Sequence, residues 1–299
     1  MKTTDPSMRQ KICVVTGGSG GIGKATAAAL ARLDAEVVLV NRSPERGAAA
    51  CREIRAQTGN PNIHFIAADL SSQAEIRRLA GQLTQRYPRI HVLVNVAGSM
   101  FHRRQTSPDG LELTFALNYL SYFLLTGLLL DTLIQSAPAR VINVSSVAHC
   151  WGRINLADLP NPRGYSMFAA YGNSKLAINL FTRLLAARLQ GSGVTAVSAH
   201  PGIVATGIIA RVIDHPLVSR LADAFFLSPA QSAEHLLHLA AGPDADRWNG
   251  GYMVRGQPGW CTKTSRDLAL AEKLWQASEE WTHLNRQPAQ VREYVNELR

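Results

Sequence analysis

One short stretch restricts the possible folds more than any other: Thr16-Gly17-Gly18-Ser19-Gly20-Gly21-Ile22-Gly23. It joins an apolar, β-branched run at Ile12–Thr16 to an amphipathic stretch that begins at Gly21. Glycines at a strand-to-helix junction let the backbone turn within a few residues and approach a ligand closely, because no Cβ stands in the way. The N–H groups of a first helical turn have no partners inside the helix, and the aligned peptide dipoles give that end a partial positive charge. The junction is therefore suited to a pyrophosphate. A merely flexible turn would have no need to stand between these two elements.

The strand–helix rhythm continues. Glu36–Val40, Ile63–Ala67, Val92–Asn95, Arg140–Ser145 and Val194–His200 read as further strands, with helices predicted over Gly21–Leu33, Pro44–Thr58, Ser72–Tyr87, Leu111–Gln135 and Tyr171–Leu189. The strands are nearly continuous in apolar residues, as strands covered on both faces must be. The expectation is an α/β fold: a doubly wound, Rossmann-type parallel sheet with helices on both faces, in a single domain over residues 1–299. Two segments break the rhythm. Residues 151–170 are loop-rich, and Ile203–Leu227 is apolar without a partner strand; 151–170 and 203–230 are expected to wall the substrate pocket. A tail helix is predicted over Arg266–Leu284, followed by a polar tail at 285–299.

Composition narrows the function. Hydrophobic residues make up 46% and charged residues 18%, a globular balance. The net charge of +9 attracts anions, but the basic residues are scattered, with only pairs such as Arg77-Arg78 and Arg103-Arg104. Specific nucleic-acid binders cluster their basic residues, so no nucleic-acid partner is expected. The four cysteines form no C-x-x-C pair, and His235 and His238 lack a third ligand, so neither a disulfide framework nor a metal site is expected. Reduced thiols and a polar Met1–Lys11 point to the cytoplasm. Leu120–Ile134, interrupted by Ser121, Tyr122, Thr126, Gly127 and Asp131, reads as a buried helix rather than a membrane span.

Further motifs follow in order. The second strand ends in Val40-Asn41-Arg42, where an acid would bind the two ribose hydroxyls of NAD; Arg42 instead suits the 2′-phosphate of NADP(H). Lys24 is read as facing solvent. Tyr171-Gly172-Asn173-Ser174-Lys175 puts a phenol and an ammonium on one helix face. A nearby ammonium and a positive nicotinamide would favour the phenolate and lower the phenol's pKa, which suits a general acid/base.

The spacing T-G-x-x-x-G-I-G, then Asn95-Val96-Ala97-Gly98, Ser145-Ser146 and Y-x-x-x-K resembles the short-chain dehydrogenase/reductase family over roughly residues 10 to 284. The resemblance implies cofactor contacts from Gly17, Ser19, Gly21, Ile22, Gly23, Asn41, Arg42, Asp69, Leu70, Asn95, Ala97, Gly98, Tyr171 and Lys175. It adds Pro201, Gly202, Val204 and Thr206 from the turn after the sixth strand. It implies catalysis by Ser146, which polarises the substrate oxygen, Tyr171, which moves the proton, and Lys175, which tunes Tyr171. Asn118 would hold a water linking Lys175 to solvent, and Ser145 would serve backbone contacts. Val96 departs from the family's N-N-A-G, and the separation of Ser146 from Tyr171 is longer than usual.

Ala170-Tyr171-Gly172-Asn173-Ser174-Lys175-Leu176-Ala177, Phe181-Thr182, Ala199-His200-Pro201-Gly202 and Leu274-Trp275-Gln276-Ala277-Ser278 are similar to the retinol-dehydrogenase-like branch, which includes the WW-domain-containing oxidoreductases. That branch implies an apolar alcohol, aldehyde or ketone. Its membrane members carry an N-terminal apolar anchor, which the polar Met1–Lys11 does not match, so a soluble enzyme is expected rather than one acting on retinol itself. Met100, Phe101, Trp151, Met167, Phe168, Ile208, Ile209, Val212, Phe225 and Phe226 would line an apolar pocket. Family members often dimerise through helices corresponding to 111–135 and 171–189, so a homodimer is a further expectation. Two other functions stay open at this point: an NADPH-dependent C=C reductase on the same scaffold, and a non-catalytic dinucleotide-sensing protein.

Overall fold

Alternating side chains on each strand face two different cores. In the first strand, β1 (Ile12–Thr16), Cys13 and Val15 pack into one apolar cluster and Val14 into the other. The second strand, β2 (Glu36–Asn41), repeats this, with Val37 and Leu39 on one side and Val38 and Val40 on the other. Successive side chains of a strand point to opposite faces, so a strand apolar at every position must be buried twice. Both faces are covered by helices. The computed structural model describes residues 7–159, 164–202 and 227–284.

The remaining strands are β3 (Ile63–Ala67), β4 (Val92–Asn95), β5 (Ala139–Val144), β6 (Val194–His200), β7 (Tyr252–Val254) and β8 (Gln257–Pro258). They form one sheet in the order β3-β2-β1-β4-β5-β6-β7-β8, parallel throughout except for β8 against β7. Strand order reverses between β1 and β4, which opens a crevice beyond their carboxyl ends. One face carries α1 (Gly21–Arg32), α2 (Pro44–Thr58) and α6 (Pro229–Ala241). The other carries α3 (Gln73–Arg86), α4 (Leu113–Gln135), α5 (Met167–Arg188) and α7 (Leu268–Thr282).

The doubly wound α/β architecture is as expected. Several elements differ. Helix α5 begins at Met167, one turn before Tyr171, because Ser166 caps it by accepting the Ala169 N–H. Helix α4 is not regular: Ala116–Leu120 forms a π-turn, in which the Ser121 N–H bonds to the Ala116 carbonyl. Helix α6 contains His235 and His238, and β7 and β8 are elements that the apolar pattern does not mark. A strand as short as β7 shows no periodicity, and it exists by pairing with β6. By length and composition α4 could cross a membrane, yet its apolar window is 78% buried inside this fold.

The helices expected to mediate a dimer are closed over by the chain's own α7. Trp275 packs edge-on against Phe123 of α4 (5.0 Å between ring centroids) and lies 5.6 Å from Phe181 of α5. Trp281 meets Phe115 at 5.7 Å, and the Tyr119 hydroxyl pairs with Ser278 at 2.7 Å. At the far end, Arg188 contacts both carboxylate oxygens of Glu272 (2.7 and 2.8 Å) and stacks on Trp275. Phe115, Tyr119, Phe123 and Phe181 of α4 and α5 thus pack against α7 within the same chain. Phe123→Ala is expected to cost about 3–5 kcal/mol in urea denaturation. Combined with Trp275→Ala, the loss should fall short of additive by about 1 kcal/mol, since the pair shares one contact.

Candidate active site

The glycine junction folds as its composition demands. Gly17 has φ +69°, and a Cβ there would meet the backbone of Ala97 at 3.0 Å. At Gly23 a Cβ would come within 2.4 Å of the Gly17 carbonyl oxygen, so α1 can start this close to the turn only with glycine at that position. Thr16 locks the loop to its neighbour: its hydroxyl accepts the N–H groups of Val96 and Ala97 at 2.9 and 3.2 Å. The α1 N-terminus has no side-chain cap at Gly20 and no acid in its first turn. Its free N–H groups and the cradle beside them fit a dinucleotide pyrophosphate. Ser19, Gly21 and Ile22 stand in this turn, partly exposed.

Beyond the turn, Arg42 is largely exposed, with Asp69 3.7 Å away as an ion-pair partner. Asp69 also accepts the backbone and hydroxyl of Ser71 at 2.9 and 2.7 Å. Asn41 donates to the Ser43 carbonyl, and Leu70 is packed in the core. Lys24 is turned away, paired with Glu53 of α2. A second guanidinium stands beside the glycine turn: a Cβ on Gly20 would lie 3.2 Å from Arg46 Nη2. The sequence reading missed Arg46. Its position follows from where α2 packs, which the residues around it do not reveal.

Ser146 follows β5 by two residues and caps a short 3-10 turn, Val147–Trp151, by accepting the Ala148 N–H at 3.2 Å. Its hydroxyl lies close enough to the Tyr171 phenol to favour the charged form of that phenol. Two glycines permit this meeting. A Cβ on Gly152 would fall 2.3 Å from the Gly172 carbonyl oxygen, and one on Gly172 would strike Trp151 at 2.6 Å. Ser145 donates to the Lys175 carbonyl at 3.1 Å, a backbone contact as expected.

Lys175 is buried beneath this pair. Its Nζ donates to the Val144 carbonyl at 2.9 Å and lies 5.4 Å from the Tyr171 ring centroid and 6.0 Å from that of Tyr122. Burial lowers its pKa to about 7. The Tyr171 phenol is raised by the same loss of water, with the nearby Ser146 hydroxyl working against the rise. The lowering expected from a neighbouring ammonium is therefore not delivered by the chain's own groups, because Lys175 itself holds its proton weakly.

Asn118 lies in the π-turn and is fully buried. Its amide is engaged on three sides, accepting the Ser99 N–H at 2.8 Å and donating to the Ser99 carbonyl and the Ser174 hydroxyl. Asn95 is likewise interior, donating to Asn143 at 2.8 Å and Thr126 at 3.2 Å, while Asn143 donates to Thr182. Ala97 and Gly98 line the crevice rim, and Pro201 and Gly202 follow β6, Gly202 with φ +104°. Val204, Thr206, Ile208, Ile209, Val212, Phe225 and Phe226 lie outside the described residues. Trp151 and Phe168 remain half-exposed beside Gly172.

Residues 11–216 match the family profile described as short chain dehydrogenase. The chain belongs to the short-chain dehydrogenase family. Within it, the chain falls in the retinol-dehydrogenase-like branch. It is 42% identical to mouse (Mus musculus) retinol dehydrogenase 12 over 276 residues, 92% of this chain and 87% of that protein. Human (Homo sapiens) retinol dehydrogenase 11 is 38% identical with the same coverage. Among solved structures, a putative uncharacterized protein from Mycobacterium paratuberculosis superposes with a TM-score of 0.74 at 32% identity, covering 94% of this chain and 96% of that one. The Pseudomonas aeruginosa RhlG/NADP active-site complex gives 0.69 at 30% identity, covering 83% and 95%. The chain is thus an oxidoreductase of the short-chain dehydrogenase family, a family that uses a nicotinamide cofactor.

The buried lysine of this dehydrogenase has a measurable consequence. Below pH 7 it is charged in both native and unfolded chains, and burial of the charge costs stability. Between about 7 and its ordinary value of 10.5 the native protein binds fewer protons than the unfolded one, so stability rises with pH. Lys175→Met is expected to raise the Tm of the unliganded protein by several degrees at pH 6, with the gap closing as pH approaches 10. Calorimetry across that range checks it.

Proposed function

We propose that the protein interconverts an apolar ketone or aldehyde and its alcohol using NADP(H), with Tyr171 as the acid/base. The observation that carries this reading is the convergence of Ser146 and Tyr171 on the buried Lys175, whose Nζ donates to the Val144 carbonyl and lies 5.4 Å from the Tyr171 ring centroid. Bound NADPH supplies the hydride. Ser146 holds the substrate oxygen, and Tyr171 delivers the proton to that oxygen in reduction or takes it in oxidation. Lys175 binds ribose and, when charged, favours the phenolate. Asn118 fixes the Ser99 loop against α5 and supports the proton relay, while Asn95 braces the strands below.

Preference for NADP(H) rests on Arg42 and Arg46, which flank the open end of the glycine turn where a 2′-phosphate would lie. RhlG, 30% identical, was solved with NADP. Gly17, Ser19, Gly21, Ile22, Gly23, Asp69, Ala97, Gly98, Pro201 and Gly202 would complete the site, with Val204 and Thr206 from the segment beyond. Residues 151–170 and 203–230 are assigned to the substrate pocket. The half-exposed Trp151 and Phe168 and the retinol dehydrogenase relatives favour an apolar substrate. Four free thiols, Cys150 among them exposed, suit the reducing cytoplasm.

Two measurements test the reading. In a carbonyl screen with deuterated NADPH, label should reach the carbinol carbon, and Tyr171→Phe should lower turnover at least about a hundredfold. Label at a reduced C=C bond, or turnover undiminished in Tyr171→Phe, would overturn it. Separately, Arg42→Gln and Arg46→Gln should each weaken NADPH binding about 10- to 100-fold and leave NADH binding within about twofold, as loss of a charge-assisted contact requires.

A further inference from the structure

The turn that carries Ser146 also contains a buried histidine with no part in the proposed reaction. His149 is 1% exposed. Its Nδ1 stands 2.8 Å from the Ser146 carbonyl oxygen, and its backbone N–H reaches the same oxygen at 3.2 Å. A carbonyl only accepts, so Nδ1 must carry the hydrogen. Burial lowers the imidazole's pKa below its ordinary value, and the hydrogen bond to Ser146 partly offsets this. A neutral ring with hydrogen on Nδ1 has a bare Nε2, which faces Cys150 Sγ at 3.8 Å. The ring also meets Tyr252 of β7 edge-on, with centroids 4.7 Å apart. His200 of β6, itself influenced by Arg255 and Lys175, is the titratable group that feels His149 from the sheet.

We propose that His149 is a positioning residue for Ser146. Two donors from one residue clamp the Ser146 carbonyl, and Tyr252 fixes the plane of the imidazole that supplies the shorter one. The clamp holds Ser146 in its extended conformation, φ −157° and ψ 159°. In that conformation the Ala148 N–H occupies one lone pair of the Ser146 hydroxyl, which leaves its hydrogen and remaining lone pair for Tyr171 and an incoming oxygen. Without the imidazole the turn keeps only the longer of the two donors and can rotate away from Tyr171. The inference rests on the reading that Ser146 and Tyr171 carry the reaction.

Two variants separate the hydrogen bond from the packing. His149→Phe keeps an aromatic ring against Tyr252 but has no donor. His149→Asn places an amide N–H where Nδ1–H was. His149→Phe is expected to lower kcat for carbonyl reduction about 10- to 100-fold, the usual effect of a small misplacement, with KM and the NADPH Kd within about twofold. His149→Asn should recover most of kcat. A second measurement needs no turnover. Nitrogen-15 NMR of the wild-type ring should show hydrogen on Nδ1 and a bare Nε2, and the Ala148 amide of His149→Phe should exchange at least about tenfold faster. Hydrogen on Nε2 in the wild type, unchanged kcat and exchange in His149→Phe, or equal losses in both variants would each overturn the proposal. If Ser146→Ala turns over like the wild type, the reaction assigned to the site is wrong, while the tautomer and exchange data still decide whether His149 holds the turn.

Discussion

The position of the Ser146–Tyr171 pair depends on one close backbone approach, that of the Val147–Trp151 turn to the second turn of α5. Gly152 lies against the Gly172 carbonyl, and Gly172 lies against the Trp151 indole and the Ala148 carbonyl. Trp151 ties this contact down by donating from its indole to the Phe168 carbonyl at 3.1 Å, and Asn173 accepts the Arg153 N–H at 2.8 Å. The longer segment between Ser146 and Tyr171 is therefore anchored at both of its described ends rather than hanging from them. Tyr165 adds a cross-link, donating to the Phe101 carbonyl at 2.6 Å, which joins the segment to the loop after β4.

Burial then decides the electrostatics. The same exclusion of water that brings Lys175 to about 7 raises Tyr171. Low dielectric disfavours both charged forms, so Lys175 exchanges its proton near neutral pH while the Tyr171 phenol, taken alone, keeps its own. What reconciles them is their proximity: a proton lost from the phenol and a proton held on the ammonium each favour the other. A cationic nicotinamide ring would act in the same direction on Tyr171. The chain supplies the close, dry pair, and a bound cofactor is what would complete the charge balance.

The parts of this fold legible in the sequence are those set by local backbone demands. The glycine turn announces itself because Gly17 and Gly23 admit no other residue, and Tyr171 with Lys175 because helical spacing puts them on one face. What escaped depends on tertiary packing. The π-turn at Ala116–Leu120 adds one residue to a helical turn without any breaker in Ala116-Leu117-Asn118-Tyr119-Leu120. Strand β7 is three residues whose pairing partner lies more than fifty positions away. Arg46 reaches Gly20 only because α2 packs beside α1, and the raised phenol of Tyr171 follows from a burial that no window of sequence reports.

Beneath the site, polar groups do what apolar ones cannot. Asn95, Asn143, Thr126 and Thr182 link β4, β5, α4 and α5 through directional hydrogen bonds inside an otherwise apolar interior. An apolar layer there would pack equally well with the helices slid along the sheet, whereas each amide here has its partner in one register only. A slide of α5 by even part of a turn would carry Tyr171 away from Ser146 and draw Lys175 off the Val144 carbonyl. The buried ladder and the glycine contact therefore act on the same coordinate, one fixing α5 along the sheet and the other fixing its distance from the serine turn.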